Sequence, residues 1–111
     1  MIRRILPLAC LAALALSGAT QALAADPIEL TIKDHRFQPE RIEVPTGKPF
    51  ELLVRNLDAT PEEFESHALH REKVIMGNGT AKIRFGALKP GEYAFVGEFH
   101  EDTAKGVIVA K

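Results

Sequence analysis

The sequence has no tryptophan, one tyrosine and one cysteine in 111 residues. A lone cysteine, Cys10, excludes an intrachain disulfide. No basic excess is present either, with 14 Lys and Arg against 15 Asp and Glu. Nothing resembles a basic patch, so nucleic acid is not an expected partner. Long apolar runs are also missing. The longest apolar stretch, Ile5 to Leu16, is too short to span a bilayer. No ten-residue segment downstream carries a clear helical stripe.

What is present begins with an address. Arg3 and Arg4 precede the apolar stretch, and Ala22-Leu23-Ala24 offers a small-x-small cleavage site. This pattern predicts a signal peptide over residues 1–24 and export of the remainder. Ser17, Gly18, Thr20 and Gln21 argue against a membrane anchor. Too few apolar residues precede Cys10 for a lipoprotein leader. The predicted mature chain, residues 25–111, is one domain's worth of sequence. Loss of Arg3 and Arg4 leaves 12 basic against 15 acidic residues, a net charge of −3 with neutral histidine. Cys10 leaves with the signal, so the mature chain has no thiolate ligand and depends on its core for stability.

The remainder reads as strands. Apolar residues alternate with polar ones at Ile28, Leu30 and Ile32, at Ile42 and Val44, and at Phe50, Leu52 and Val54. The alternation resumes at Ala81, Ile83 and Phe85 and at Tyr93 and Phe95. Apolar runs lie at Lys73–Met76 and Val107–Val109. Turn signals stand between them, at Thr46-Gly47-Lys48 and Gly77-Asn78-Gly79. Period two between turns predicts an all-β, antiparallel Greek-key β-sandwich. A short helix or turn is expected over Leu57–Glu62, where Pro61 suits a first helical turn. Lys89-Pro90-Gly91-Glu92-Tyr93 predicts a turn followed by a tyrosine whose hydroxyl returns to the chain at a sandwich corner.

Two segments carry a family resemblance. Asn56 through Pro61 to Glu65 resembles the cupredoxin segment that runs from an asparagine, past a proline, to the first histidine ligand. Gly91-Glu92-Tyr93-Ala94-Phe95-Val96-Gly97-Glu98-Phe99-His100 resembles the later cupredoxin segment, which holds the cysteine and second histidine. The chain then returns through Lys105-Gly106 into a last strand, Val107-Ile108-Val109. On this resemblance Glu62 stands at the first histidine position, with Glu63 one residue away. Gly97 stands at the cysteine, His100 keeps the second histidine, and Ala104 lies near the axial methionine. A blue copper site needs a thiolate and two imidazoles, so blue-copper electron transfer is not expected.

A narrower resemblance rests on Glu63-Phe64-Glu65-Ser66, the Lys89–Tyr93 corner and Phe99-His100-Glu101-Asp102-Thr103-Ala104-Lys105-Gly106. Asp34-His35-Arg36-Phe37 and the Val44–Lys48 turn fit the same pattern. These segments are similar to the cupredoxin-like periplasmic proteins of bacterial Ftr-type and Efe-type iron uptake systems. The resemblance implies a periplasmic protein that binds copper or iron and serves an iron permease and its periplasmic partners. The Efe-type domain implies glutamate ligands at Glu63 and Glu92. Its cysteines fall near Phe37 and Gly97, where this chain has none.

The residues also speak for themselves. Glu63, Glu65 and His67 share one face of an extended strand, roughly 7 Å between successive members, with Phe64 turned to the core. Glu98 and His100 have the same i, i+2 relation. Brought together, the two ladders would present carboxylates and imidazole to one ion, a donor set suited to iron, manganese or copper. A solvent-facing strand gives the same alternation without any metal. Glu101 and Asp102 extend the acidic run, although Asp102-Thr103 equally suits a turn. Met76 reads as a core residue, His70 as an ordinary exposed histidine. His35 sits where it could approach the site from the side. Three functions follow: a metal-binding protein of iron uptake, a ferroxidase, or a metal-free interaction module. Whether the chain forms a homodimer is left open.

Overall fold

The computed structural model describes residues 26–111, so the signal peptide expected at residues 1–24 lies outside the described part. Among the described residues, nine strands form two sheets. The first sheet joins β1 (Ile28–Lys33), β2 (Arg36–Gln38), β4 (Phe50–Asn56) and β7 (Thr80–Phe85) in the order β2-β1-β4-β7. The second joins β3 (Arg41–Val44), β5 (Glu62–Ser66), β6 (Arg71–Ile75), β8 (Gly91–Gly97) and β9 (Lys105–Ala110) in the order β3-β9-β8-β5-β6.

The sandwich is therefore as expected, but its sheets are mixed rather than antiparallel throughout. β1 runs parallel to β4, and β3 parallel to β9. The reason lies in the connections. After the β1–β2 hairpin the chain crosses to the second sheet as β3, and it returns to the first beside β1 in the same direction. Parallel neighbours need such a crossover, whereas a tight turn makes antiparallel ones. Hydrophobic alternation reports burial but not strand direction.

Inward-facing residues of both sheets build the core. Leu30, Ile32, Leu52 and Val54 come from the first sheet, Phe64, Phe95 and Ile108 from the second. Phe37, Phe64 and Phe95 meet at its centre, with Phe95 placed 4.9 Å from Phe37 and 5.0 Å from Phe64 between ring centroids. Burying each such side chain contributes roughly 1.5–3 kcal/mol. The Tyr93 hydroxyl donates to the Lys89 carbonyl at 2.8 Å, closing the expected corner.

Two local expectations change. Met76 is two-thirds exposed rather than core, because β6 ends at Ile75 and the Gly77-Asn78-Gly79 turn lifts it clear of the sheets. Over Leu57–Glu62, where a short helix or turn is expected, the chain bends at residues 58–60 without forming a helix, and Glu62 opens β5. Asn56 holds that bend, its buried side chain donating to the carbonyls of Thr60 at 2.8 Å and Ile75 at 3.2 Å and accepting from the Asp58 N–H at 3.0 Å.

Candidate metal centre

Strand β5 sorts its acidic residues by face. Glu62, Phe64 and Ser66 are turned inward and buried, while Glu63 and Glu65 point the other way, where Glu65 is also buried and Glu63 half-buried. Glu62 thus brings an acidic side chain into the sandwich, and the local backbone makes this tolerable. Its Oε1 accepts the N–H of Phe99 at 2.9 Å and of Glu63 at 3.1 Å, and its Oε2 lies 2.5 Å from Nδ1 of His100. A buried carboxylate is sustainable only with such partners.

Gly97 makes the space. A β-carbon at this position would lie 2.7 Å from Cδ of Glu62 and 2.7 Å from the Ala104 β-carbon. Strand β8 ends at Gly97, and the chain turns into one turn of 3₁₀ helix, Glu98–His100. That turn swings His100 over Glu62. The following turn is closed by the N–H of Ala104 donating to the His100 carbonyl at 2.8 Å. Glu62, Gly97, His100 and Ala104 therefore meet at one end of the sandwich.

A second imidazole arrives from the β1–β2 hairpin. His35 stacks on His100 with ring centroids 3.5 Å apart and planes 13° from parallel. Its backbone is left-handed, with φ 56°, a conformation that needs support in a residue with a side chain. Asp58 supplies it, accepting the N–H groups of Asp34 at 2.8 Å and His35 at 3.0 Å. These bonds, that from His35 foremost, hold the Asp58 carboxyl below the usual aspartate range, although its burial opposes the shift. The same carboxylate lies 3.4 Å from Nδ1 of His35, and the Thr103 hydroxyl donates to the His35 carbonyl at 2.6 Å. His35, Glu62 and His100 each offer a ligand atom, all within 4.8 Å of one another.

A separate acidic group lies on the outer face of the same sheet. Glu63, Glu65, Glu72 and Glu98 bring one carboxylate oxygen each within 4.8 Å of one another. Register explains the gathering, since Glu65 pairs with Glu72 across β5 and β6. A hydrogen bond to Glu98 leads the causes that push the Glu65 carboxyl up to about 7, with burial and the Glu98 charge adding to it. Burial, and then Glu98, raise Glu63. His67, mostly exposed, contacts Glu65 at 3.3 Å.

The sequence-derived candidates are thus divided. Glu62 and His100 fall in the imidazole group, and Glu63, Glu65 and Glu98 in the carboxylate group. Glu98 and His100 do not share a face, because they lie on a 3₁₀ turn rather than a strand. The single site drawn from two ladders becomes two neighbouring groups. Glu101 is exposed in the turn after His100 and belongs to neither. Glu92 lies near the far end of β8, two-thirds exposed, 3.7 Å from Arg41. The sequence reading did not single out Glu72 or Asp58. No local signal marks Glu72, whose role comes from cross-strand register. Asp58 is legible only as a turn-forming residue.

Fold and side chains together define a class: a two-sheet β-sandwich with two imidazoles and a carboxylate gathered at one end, and glycine rather than cysteine beside them. A thiolate-bound copper centre does not fit here, since Gly97 supplies no sulfur and Glu62 fills the space. A copper or iron ion suited to nitrogen and oxygen donors does fit. The chain belongs to the cupredoxin-like domain family, whose pattern matches residues 6–110. An uncharacterised protein of Rickettsia prowazekii is 49% identical over 82 residues, covering 74% of this chain and 66% of that protein. The chain thus spans slightly less than two thirds of that relative's length. Among solved structures, auracyanin A, a blue copper protein of Chloroflexus aurantiacus, superposes with a TM-score of 0.66 at 15% identity, over 78% of this chain and 98% of that one. The metal-binding domain of the Streptococcus pneumoniae Cu(I)-exporting ATPase CopA gives 0.68 at 17% identity, over 77% and 84%. At these identities the likeness is one of fold.

Proposed function

We propose that this chain is a periplasmic metal-binding protein of ferrous-iron uptake, holding copper or iron at the His35–Glu62–His100 group and passing iron to a permease. The observation that carries the metal reading is the convergence of two imidazoles and a buried carboxylate within 4.8 Å at one end of the sandwich. Imidazole with carboxylate suits iron and copper alike. The adjoining glutamates support iron as cargo, because oxygen donors favour the harder ferric ion. The resemblance to iron-uptake cupredoxins supplies the pathway and the permease as partner.

The residues divide the work. His35 and His100 would hold the ion, and Asp58 and Thr103 keep His35 in place. Glu62 meets the charge of the centre from inside the sandwich. A bound copper ion would supply one-electron redox chemistry, which is the basis of the ferroxidase alternative. In that reading each ferrous ion gives up one electron to O₂ or to a partner.

Metal titration tests the proposal. The metal-stripped mature protein is expected to bind Cu²⁺, Fe²⁺ or Fe³⁺ at micromolar concentration or tighter, at roughly 10⁻⁶ M on the affinity scale. Binding should weaken at least about tenfold in His100→Ala and His35→Ala. Equally weak binding by all three proteins would leave the metal-free interaction module. Oxygen consumption with Fe²⁺ at the buffer rate, with and without copper, would remove the ferroxidase alternative alone.

A further inference from the structure

We propose that copies of this chain stack head to tail, the basic outer face of the first sheet on one copy meeting the acidic outer face of the second sheet on the next. The proposal is independent of the metal reading and needs no ion.

Alternation along the strands puts five cations on the outer face of the first sheet. Lys33, Arg36, Arg55, Lys82 and Arg84 are exposed, each beside a buried residue of its own strand. Register joins them into one surface. Lys33 pairs with Arg36, Leu53 with Lys82 and Glu51 with Arg84. Thr31, two residues before Lys33, pairs with Arg55. Two acids share the face, Glu29 and Glu51, and both are engaged. Glu29 lies 3.3 Å from Arg55, and Glu51 lies 3.1 Å from Arg84 and 3.9 Å from Lys82. Five cations less two acids leave +3 on this face, although the predicted mature chain totals −3. Lys33 and Arg36 form no ion pair among the described residues.

The opposite charge stands on the other side of the sandwich. Glu63, Glu65, Glu72 and Glu98 gather there. Among the described residues no lysine or arginine pairs with them, and His67 alone contacts Glu65. Each face also carries an apolar residue. Leu53 is half-buried in the basic face, and Val74, paired with Glu63, is 46% exposed in the acidic one. Opposite charges steer two such faces together, and the apolar residues keep water from the contact. The faces point in opposite directions, so two copies cannot satisfy both contacts at once. Such a contact is heterologous, and assembly continues past the dimer.

Sedimentation velocity of the metal-stripped mature protein, with a chelator present, tests the proposal. At an ionic strength of about 10 mM the Debye length is about 30 Å, and the average mass should rise with concentration. At about 1 M it is about 3 Å, and only monomer should remain. Lys33→Gln with Arg36→Gln weakens one face, and Glu72→Gln with Glu98→Gln the other. All four side chains are exposed, so the fold should be kept. Each double variant alone should stay monomeric. Mixed in equal amounts they should form dimers and stop there, because each brings one intact face. Lys82→Gln or Glu63→Gln stands in for a double variant that does not fold. Monomer at every concentration in low salt, or association that both variants leave unchanged, would overturn the proposal. So would wild-type protein that stays monomeric yet sediments with phosphatidylglycerol vesicles and not with phosphatidylcholine ones, since the basic face would then serve lipid.

Discussion

Glu65 shows how a residue's chemistry can depend on a neighbour distant in sequence. Its carboxyl rises from an ordinary 4.5 to about 7, chiefly through Glu98. The folded state therefore holds this proton at pH values where the unfolded chain has released it. With more protons bound folded than unfolded, stability falls as pH rises. The window opens near 4.5 and closes near 7. Thermal unfolding of the metal-free protein at pH 5 and pH 8 should show a lower midpoint at pH 8, and Glu65→Gln should flatten that difference. Identical pH slopes in the two proteins would refute the assignment. At this scale the sequence was partly legible. Glu63, Glu65, Glu98 and His100 were visible as candidates because their spacing and family positions stand out. Glu72 was not, because only its pairing opposite Glu65 makes it a neighbour.

Strands were easier to read than their partners. Alternation marked β1, β3, β4, β7 and β8, and Phe64 faces the core as its position between two glutamates suggested. The three-residue β2 is too short to show a period, and the parallel pairings depend on crossovers rather than on any local pattern. Glu98 and His100 looked like a strand pair and instead form a 3₁₀ turn, since β8 stops at Gly97. Packing between elements supplies a sharper test. Gly106 in β9 lies beneath Phe95 of β8, and a β-carbon there would approach Cζ of the ring to 2.2 Å. Gly106→Ala should therefore destabilise by about 1–3 kcal/mol through overpacking, measured by urea unfolding. An unchanged midpoint would mean that the Phe95 ring relaxes without cost.

At the scale of the whole molecule, one cysteine allows no intrachain disulfide, and the sandwich rests on its apolar core. The corner, both sheets and the central phenylalanines are complete among the described residues, so the fold is expected not to require metal. Metal should then act as an added stabiliser through mass action. At a free concentration about one hundred times Kd it should add about 2.7 kcal/mol. Calorimetry with and without Cu²⁺ would show this as a rise in Tm that disappears with His100→Ala. A fall in Tm on adding Cu²⁺ would indicate that the ion prefers the unfolded chain.

The shared volume of Glu62 and Gly97 ties the two positions together. The carboxylate occupies room that a side chain at position 97 would need, and Ala104 closes the other side. A change at one position is therefore felt at the other: Gly97→Ala is expected to displace the Glu62 carboxylate from His100, and a shorter side chain at position 62 is expected to relieve that crowding.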